Sequence, residues 1–206
     1  MARKTKAEAE QTRRLLLDTA EKVFSEKGVA HSSLDDIAKA ASMTRGAIYW
    51  HFANKAELFE AMHSRILLPI DQLRADVVSQ ADPLRALQDF WVQALITVAE
   101  DESVRRVLDI MLNKCEYAGE LRKLLQHRIC ITETLIDLMS HAYAEAARKG
   151  LLADGVDPKL AAIATHSFVI GTISNWLLLP DRCALKAQAE PLMGLFMRAL
   201  RSSASV

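Results

Sequence analysis

Apolar residues along this chain recur at spacings of three and four almost without interruption. Leu16, Ala20, Val23 and Phe24 form one such stripe, and Gly28 follows where a helix C-cap belongs. This predicts a first helix over about residues 8–27. Ser33, with Asp36 three positions on, has the spacing of a capping box and opens a short helix over Leu34 to Ala41. Thr44 caps a third helix. Asn54 with Glu57 caps a fourth that runs through Met62 and Ile66 into the 70s, with Pro69 as its kink. Asp82-Pro83 marks the next start, since proline is tolerated at the first helical position. Helices then follow over about 84–99, 103–113 and 119–148, the last closed by Gly150. Asp157-Pro158 starts another that stops before Pro180, and a final helix covers about 184–201 with Pro191 inside it. No β-type alternation of useful length occurs. The predicted fold is all-α, about nine helices, with a small N-terminal unit (residues 1–54) joined to a larger bundle (residues 55–206).

Composition narrows the class. The chain has 206 residues, 50% hydrophobic and 25% charged, which suits one large domain or a small one joined to a larger. The longest apolar stretch, Phe168 to Leu179, is broken by Gly171, Thr172, Ser174 and Asn175, so no membrane span and no membrane partner is expected. The basic opening Met1-Ala2-Arg3-Lys4-Thr5-Lys6 runs into charged residues rather than an apolar core, unlike a secretory signal. Cys115, Cys130 and Cys183 are an odd, widely spaced set without a CxxC pair, as expected of reduced cytoplasmic thiols and not of a disulfide framework or zinc cage. Net charge is zero, but Lys and Arg outnumber Asp and Glu ten to seven through Lys55 and trail 16 to 19 beyond it. The excess is concentrated in Arg3, Lys4, Lys6, Arg13 and Arg14, a basic arm suited to phosphate as well as to solvent.

Between Ser33 and Phe52 two helices of under three turns flank a break at Ser42-Met43-Thr44. Ile37, Ala38, Ala41, Ile48 and Phe52 are spaced to pack one against the other, which is helix-turn-helix geometry. Such short helices are marginal alone and must lean on the first helix. The second begins Thr44-Arg45-Gly46-Ala47, rich in donors and low in bulk, a tip able to enter a major groove. Arg45 can donate to guanine O6 and N7 or to phosphate. Gly46 costs about 1 kcal/mol relative to Ala inside a helix, and close approach to DNA would explain it. Tyr49, Trp50 and His51 point about 100° apart, so not all three can be buried, and an exposed hydroxyl or imidazole suits phosphate. Lys55 lies in the first turn of the next helix, where a cation opposes the dipole unless a phosphate is near.

Thr44 to Phe52, followed by Asn54-Lys55-Ala56-Glu57-Leu58, resembles the DNA-binding signature of TetR-family transcriptional regulators. The basic opening, Lys114-Cys115-Glu116-Tyr117 and Trp176-Leu177-Leu178-Leu179-Pro180 are similar to the multidrug-efflux branch of that family, the AcrR and TtgR type. The resemblance implies an Ω-shaped homodimeric repressor that binds a palindromic operator and is released by hydrophobic drug-like ligands. It also implies that Thr44, Arg45, Gly46, Tyr49, Trp50, His51 and Lys55 face DNA; Ser33 and Ala47 complete the candidate set. For the ligand it points to Phe90, Leu108, Met111, Leu112, Leu135, Met139, His166, Val169, Ile170 and Ser174, and for the dimer to Trp176, Leu177, Leu192, Leu195 and Phe196. No cofactor or metal is expected. His127 and Cys130 are close in sequence, but the sequence around them shows no fixed acid, Gly-rich loop or metal-spaced cluster; they read as a surface histidine and a buried thiol, and the chain is not expected to be an enzyme. The alternative reading is a constitutive DNA-binding dimer without a physiological ligand.

Overall fold

The computed structural model describes residues 6–66 and 70–202. Ten α-helices occupy them: α1 (Lys6–Lys27), α2 (Leu34–Ala40), α3 (Arg45–His51), α4 (Lys55–His63), α5 (Ile70–Ser79), α6 (Pro83–Glu100), α7 (Glu102–Asn113), α8 (Arg122–Arg148), α9 (Pro158–Leu178) and α10 (Leu185–Arg198). No strand occurs among the described residues beyond one antiparallel bridge, Leu152 to Arg201. The start signals lie where local chemistry puts them. Asp82 accepts from the Leu84 and Arg85 amides, and Asp157 from that of Leu160.

The predicted fourth helix is two. α4 stops at His63 and tightens into a 3-10 turn over Ser64–Ile66, where the Ser64 hydroxyl donates back to the Glu60 carbonyl. Arg65 in this turn is drawn sideways to Asp18 and Glu21 of α1, at 2.6 and 2.9 Å. Pro69, the expected kink, lies outside the described residues.

Packing forms two compact units. The first combines the described residues up to Ile66 with Glu102–Gln126, so α4 and the distant α7 join α1–α3 rather than starting a new unit at residue 55. Its core is built from Leu16, Ala20, Phe24, Ile37, Ile48, Phe52, Leu58 and Met62, closed by Val107, Ile110 and Met111 of α7. At its edge Glu21 is buried, accepting from the Ser103 hydroxyl (2.9 and 3.0 Å) and paired with Arg65 and, at 3.7 Å, Arg106. Burial raises the Glu21 pKa, outweighing the opposite pull of Ser103 and the two arginines. Gly28, at φ +77°, ends α1 in the left-handed conformation, and the next amide, Val29, donates to the Lys114 carbonyl beyond α7. Lys114 Nζ returns to the Ser25 carbonyl at 2.8 Å.

The remaining described residues form the second unit, whose fully buried side chains include Leu84, Leu87, Leu95, Met139, Tyr143, Val169 and Met193. The hydroxyls of Tyr143 and Thr165 are 2.6 Å apart; Thr165 also reaches the Ala161 carbonyl at 2.8 Å, and Tyr143 the Met197 sulfur at 3.7 Å. Burial pushes the Tyr143 pKa up to about 12 despite that hydrogen bond. α9 is long and apolar enough to cross a membrane by length and composition. Here it is a packed helix, with Ala161, Ala162, Thr165, Val169 and Ile173 buried and Phe168 stacked on Phe196 of α10 at 4.7 Å.

Candidate nucleic-acid interface

α2 and α3 have seven residues each and depend on their caps and on the core beneath them. At α2 the capping box is complete: the Asp36 amide donates to the Ser33 hydroxyl, and the Ser33 amide and hydroxyl donate to the Asp36 carboxylate. These bonds hold the Asp36 pKa below the usual carboxylate range. α2 ends in a Schellman motif, with Met43 N–H donating to Ala38 and Ser42 N–H to Lys39. Ser42 sits at φ 55°, the left-handed position that glycine usually fills. Thr44 then caps α3 by accepting from the Ala47 amide at 3.2 Å.

One side of α3 anchors it and the other is open. Ile48 and Phe52 are fully buried, while Tyr49 and Trp50 are 44% and 72% exposed. A tryptophan so exposed on a helix otherwise rooted in the core is unusual. His51 is half-buried, its ring edge-on to Trp50 at 4.6 Å. A Cβ on Gly46 would meet nothing of the protein within 4 Å, so packing within the chain does not require glycine there. Arg45 is exposed, 3.3 Å from Asp35 of α2 and with its guanidinium 5.2 Å from the Tyr49 ring centroid. Thr44, Arg45, Gly46, Tyr49 and Trp50 thus form one accessible surface, with half-buried Ala47 beside it.

Two cations behave differently from their sequence reading. Lys55 is half-buried, and its ammonium donates to the Val29 and Ser32 carbonyls at 2.9 and 3.0 Å, in the turn that leads into α2. Arg13, read only as part of a basic arm, lies over the Phe52 ring at 4.4 Å and donates to the His51 carbonyl at 3.2 Å. It supplies a donor and a positive charge to the C-terminal end of α3. Only the separation of 38 residues hid this from the sequence.

The residues assigned to a ligand divide between the two units. Leu108, Met111 and Leu112 lie on α7 in the first, Met111 within its core. Phe90, Leu135, Met139, His166, Val169, Ile170 and Ser174 belong to the second. Leu135, Met139 and Val169 are buried, whereas Phe90 and the i, i+4, i+8 series His166, Ile170 and Ser174 are half-buried. Burial, reinforced by the Arg128 charge, lowers the His166 pKa and favours the neutral ring. Two polar atoms next in sequence to members of this set, Trp91 Nε1 after Phe90 and Ser140 Oγ after Met139, are buried without a hydrogen-bond partner. Cys130, expected to be buried, is exposed on α8, and His127 is half-buried.

Of the residues assigned to a dimer, Trp176 donates to the Cys183 carbonyl at 3.1 Å, and Leu177, Leu192 and Phe196 are half-buried. Leu195 is 62% exposed, and Leu160, Ile163, Leu178 and Leu179 are also solvated on α9 or at its end.

Residues 16–62 match the model of bacterial regulatory proteins of the tetR family, and residues 82–202 that of the MAATS-type transcriptional repressor C-terminal region. The chain is 36% identical to the HTH-type transcriptional regulator TtgR of Pseudomonas putida, over 98% of both chains. Among solved structures it is similar to NalD, the secondary repressor of the MexAB-OprM multidrug efflux pump in Pseudomonas aeruginosa. That match has a TM-score of 0.88 and 37% identity and covers 95% of this chain and 98% of the other. It is also similar to SmeT, repressor of the Stenotrophomonas maltophilia multidrug efflux pump SmeDEF, in a complex with triclosan. There the TM-score is 0.82 with 32% identity, over 95% and 94% of the two chains.

Proposed function

The chain belongs to the TetR family of bacterial regulatory proteins and is a transcriptional regulator rather than an enzyme, and from that premise we propose the following mechanism. Acting in the cytoplasm as a homodimer, it binds a palindromic operator of a multidrug efflux operon and leaves it when a hydrophobic drug-like ligand binds the second unit. The observation that carries this is the two-sided character of α3: Ile48 and Phe52 fix it in the core, and Arg45, Gly46, Tyr49 and Trp50 stand open at its outer side. A dimer presents two such helices to successive major grooves about 34 Å apart. A ligand with different affinities for the two spacings of these helices weakens the operator, and linkage requires the operator to weaken the ligand equally. A coupling of about 1–3 kcal/mol suffices.

For the ligand, the half-buried series His166, Ile170 and Ser174 with a neutral imidazole suits an apolar molecule carrying a few polar groups. The unpaired Trp91 Nε1 and Ser140 Oγ support this, because a buried donor without a partner is costly and a ligand oxygen would satisfy it. Ile170→Trp is expected to lower the affinity for hydrophobic antibiotics and plant phenolics by about tenfold or more through overfilling. Operator affinity without drug should stay within about twofold, within the usual range for such substitutions. Calorimetry paired with a gel-shift assay checks both; drug that still releases the variant from DNA would place the ligand elsewhere. If no drug loosens the wild-type complex, a constitutive DNA-binding dimer becomes the better reading.

Lys55 acts on the interface through the turn that it holds. Lys55→Ala is expected to cost about 1–3 kcal/mol of stability, from two charge-assisted hydrogen bonds. It should weaken DNA alike on all sequences while leaving the slope of log K against log salt unchanged. A slope shallower by about one unit would instead count Lys55 among the phosphate contacts.

A further inference from the structure

Arg45 occupies the first position of α3, where a cation opposes the helix dipole. Two neighbours hold it there. Asp35 Oδ2 lies 3.3 Å from Nη1, and the Tyr49 ring faces the guanidinium at 5.2 Å. Asp35 sits in the first turn of α2, its side chain 36% exposed, and its other oxygen, Oδ1, is buried and makes no hydrogen bond. The Arg45 side chain is 71% exposed, so packing alone does not impose its orientation. A guanidinium is a planar fork of five donors. With one nitrogen turned to Asp35, another edge remains available for a paired donation to guanine O6 and N7.

We propose that Asp35 is a positioning residue for base reading: it fixes the plane and the edge that Arg45 presents, so that Arg45 discriminates guanine instead of roaming along phosphates. This rests on α3 being the recognition helix. Asp35 also brings a negative charge towards the DNA backbone, so it lowers affinity on every sequence while raising selectivity at one base pair. These opposite signs separate positioning from a structural role, since a weakened α2 would lower both.

The test uses the full-length protein and the duplex that it selects from a random pool, with each base pair of a half-site replaced in turn and binding followed by fluorescence anisotropy. Arg45→Ala identifies its base pair by a loss of selectivity of about ten- to a hundredfold there. Asp35→Ala is expected to lower selectivity at that same pair by about three- to fivefold and to tighten binding to a scrambled duplex by up to about fivefold, the range of an exposed charge pair. In the Arg45→Ala background it should leave selectivity unchanged. Asp35→Asn, which keeps the shape of the helix start, should do the same as Asp35→Ala and guards against a folding defect. Selectivity at that pair unchanged in both Asp35 variants, or affinity lowered alike on all duplexes, overturns the proposal. If Arg45→Ala alters no base preference at all, the reading of α3 fails first, and that outcome is separate from either.

Discussion

Leu195→Glu is expected to turn the proposed dimer into a monomer and to weaken binding to a palindromic duplex by about two orders of magnitude or more. Leu195 is 62% exposed on α10, and Leu178, at the end of α9, is 74% exposed. Single solvated leucines are ordinary, but Leu160, Ile163 and Leu178 on α9 together with Leu195 on α10 offer apolar surface to a partner. In the free chain a glutamate at so exposed a position should change stability by less than about 0.5 kcal/mol. In a symmetric interface the same change brings two charges out of water. Loss of the partner removes the second half-site, and with it an effective-concentration gain of about 10²–10⁴. Phe196 is the poorer choice because it is stacked on Phe168 within the chain. Light scattering should fall from twice the 22.9 kDa chain mass to that mass, with the helical circular dichroism of the folded chain retained at room temperature. A variant that keeps the dimer mass removes α10 from the interface.

Met139→Arg is expected to destabilise the second unit by several kcal/mol, lowering the melting temperature by about 10 °C or more. Met139 is fully buried, as are its helical neighbours Ala142, Tyr143 and Ala146. A guanidinium cannot shed its proton to enter such a place, and no carboxylate lies among these neighbours to pair with it. Circular dichroism against temperature checks this. An unchanged melting curve would mean that the site opens to water or to a polar pocket, and Met139 would then join His166, Ile170 and Ser174 as a position for a bound molecule.

What could be read from the sequence was what local chemistry decides. Asp82, Asp157, Thr44 and Ser33 cap the helices expected of them, because each cap needs a partner only two or three residues away. The buried stripe Leu16, Ala20, Val23 and Phe24 followed from helical spacing alone. The parts that stayed hidden depend on distant partners. Lys55 finds carbonyls 23 and 26 residues earlier in the chain, so its dipole-opposing position said nothing of its use. The helix break after His63 coincides with an arginine drawn to carboxylates 44 and 47 residues away. Asp35 carried no signal at all until the α2–α3 turn brought it to Arg45. Spacing placed Met139 and Ile170 on apolar helices, but not one in the core and the other half in solvent.

The first unit owes part of its core to α7, whose Val107, Ile110 and Met111 close it from about forty residues downstream, and Glu21 anchors that closure to Ser103 and Arg106. An engineer who wants this protein's operator preference on a relative's sensor therefore cannot graft a contiguous N-terminal cassette. Such a hybrid would pair α1–α4 with a foreign α7, leave Glu21 without its native donors and set strange side chains against Phe24 and Met62. A workable chimera exchanges two separate pieces of chain, the segment through Ile66 and the segment from Glu102 to Gln126, and the seams belong where those pieces meet the rest.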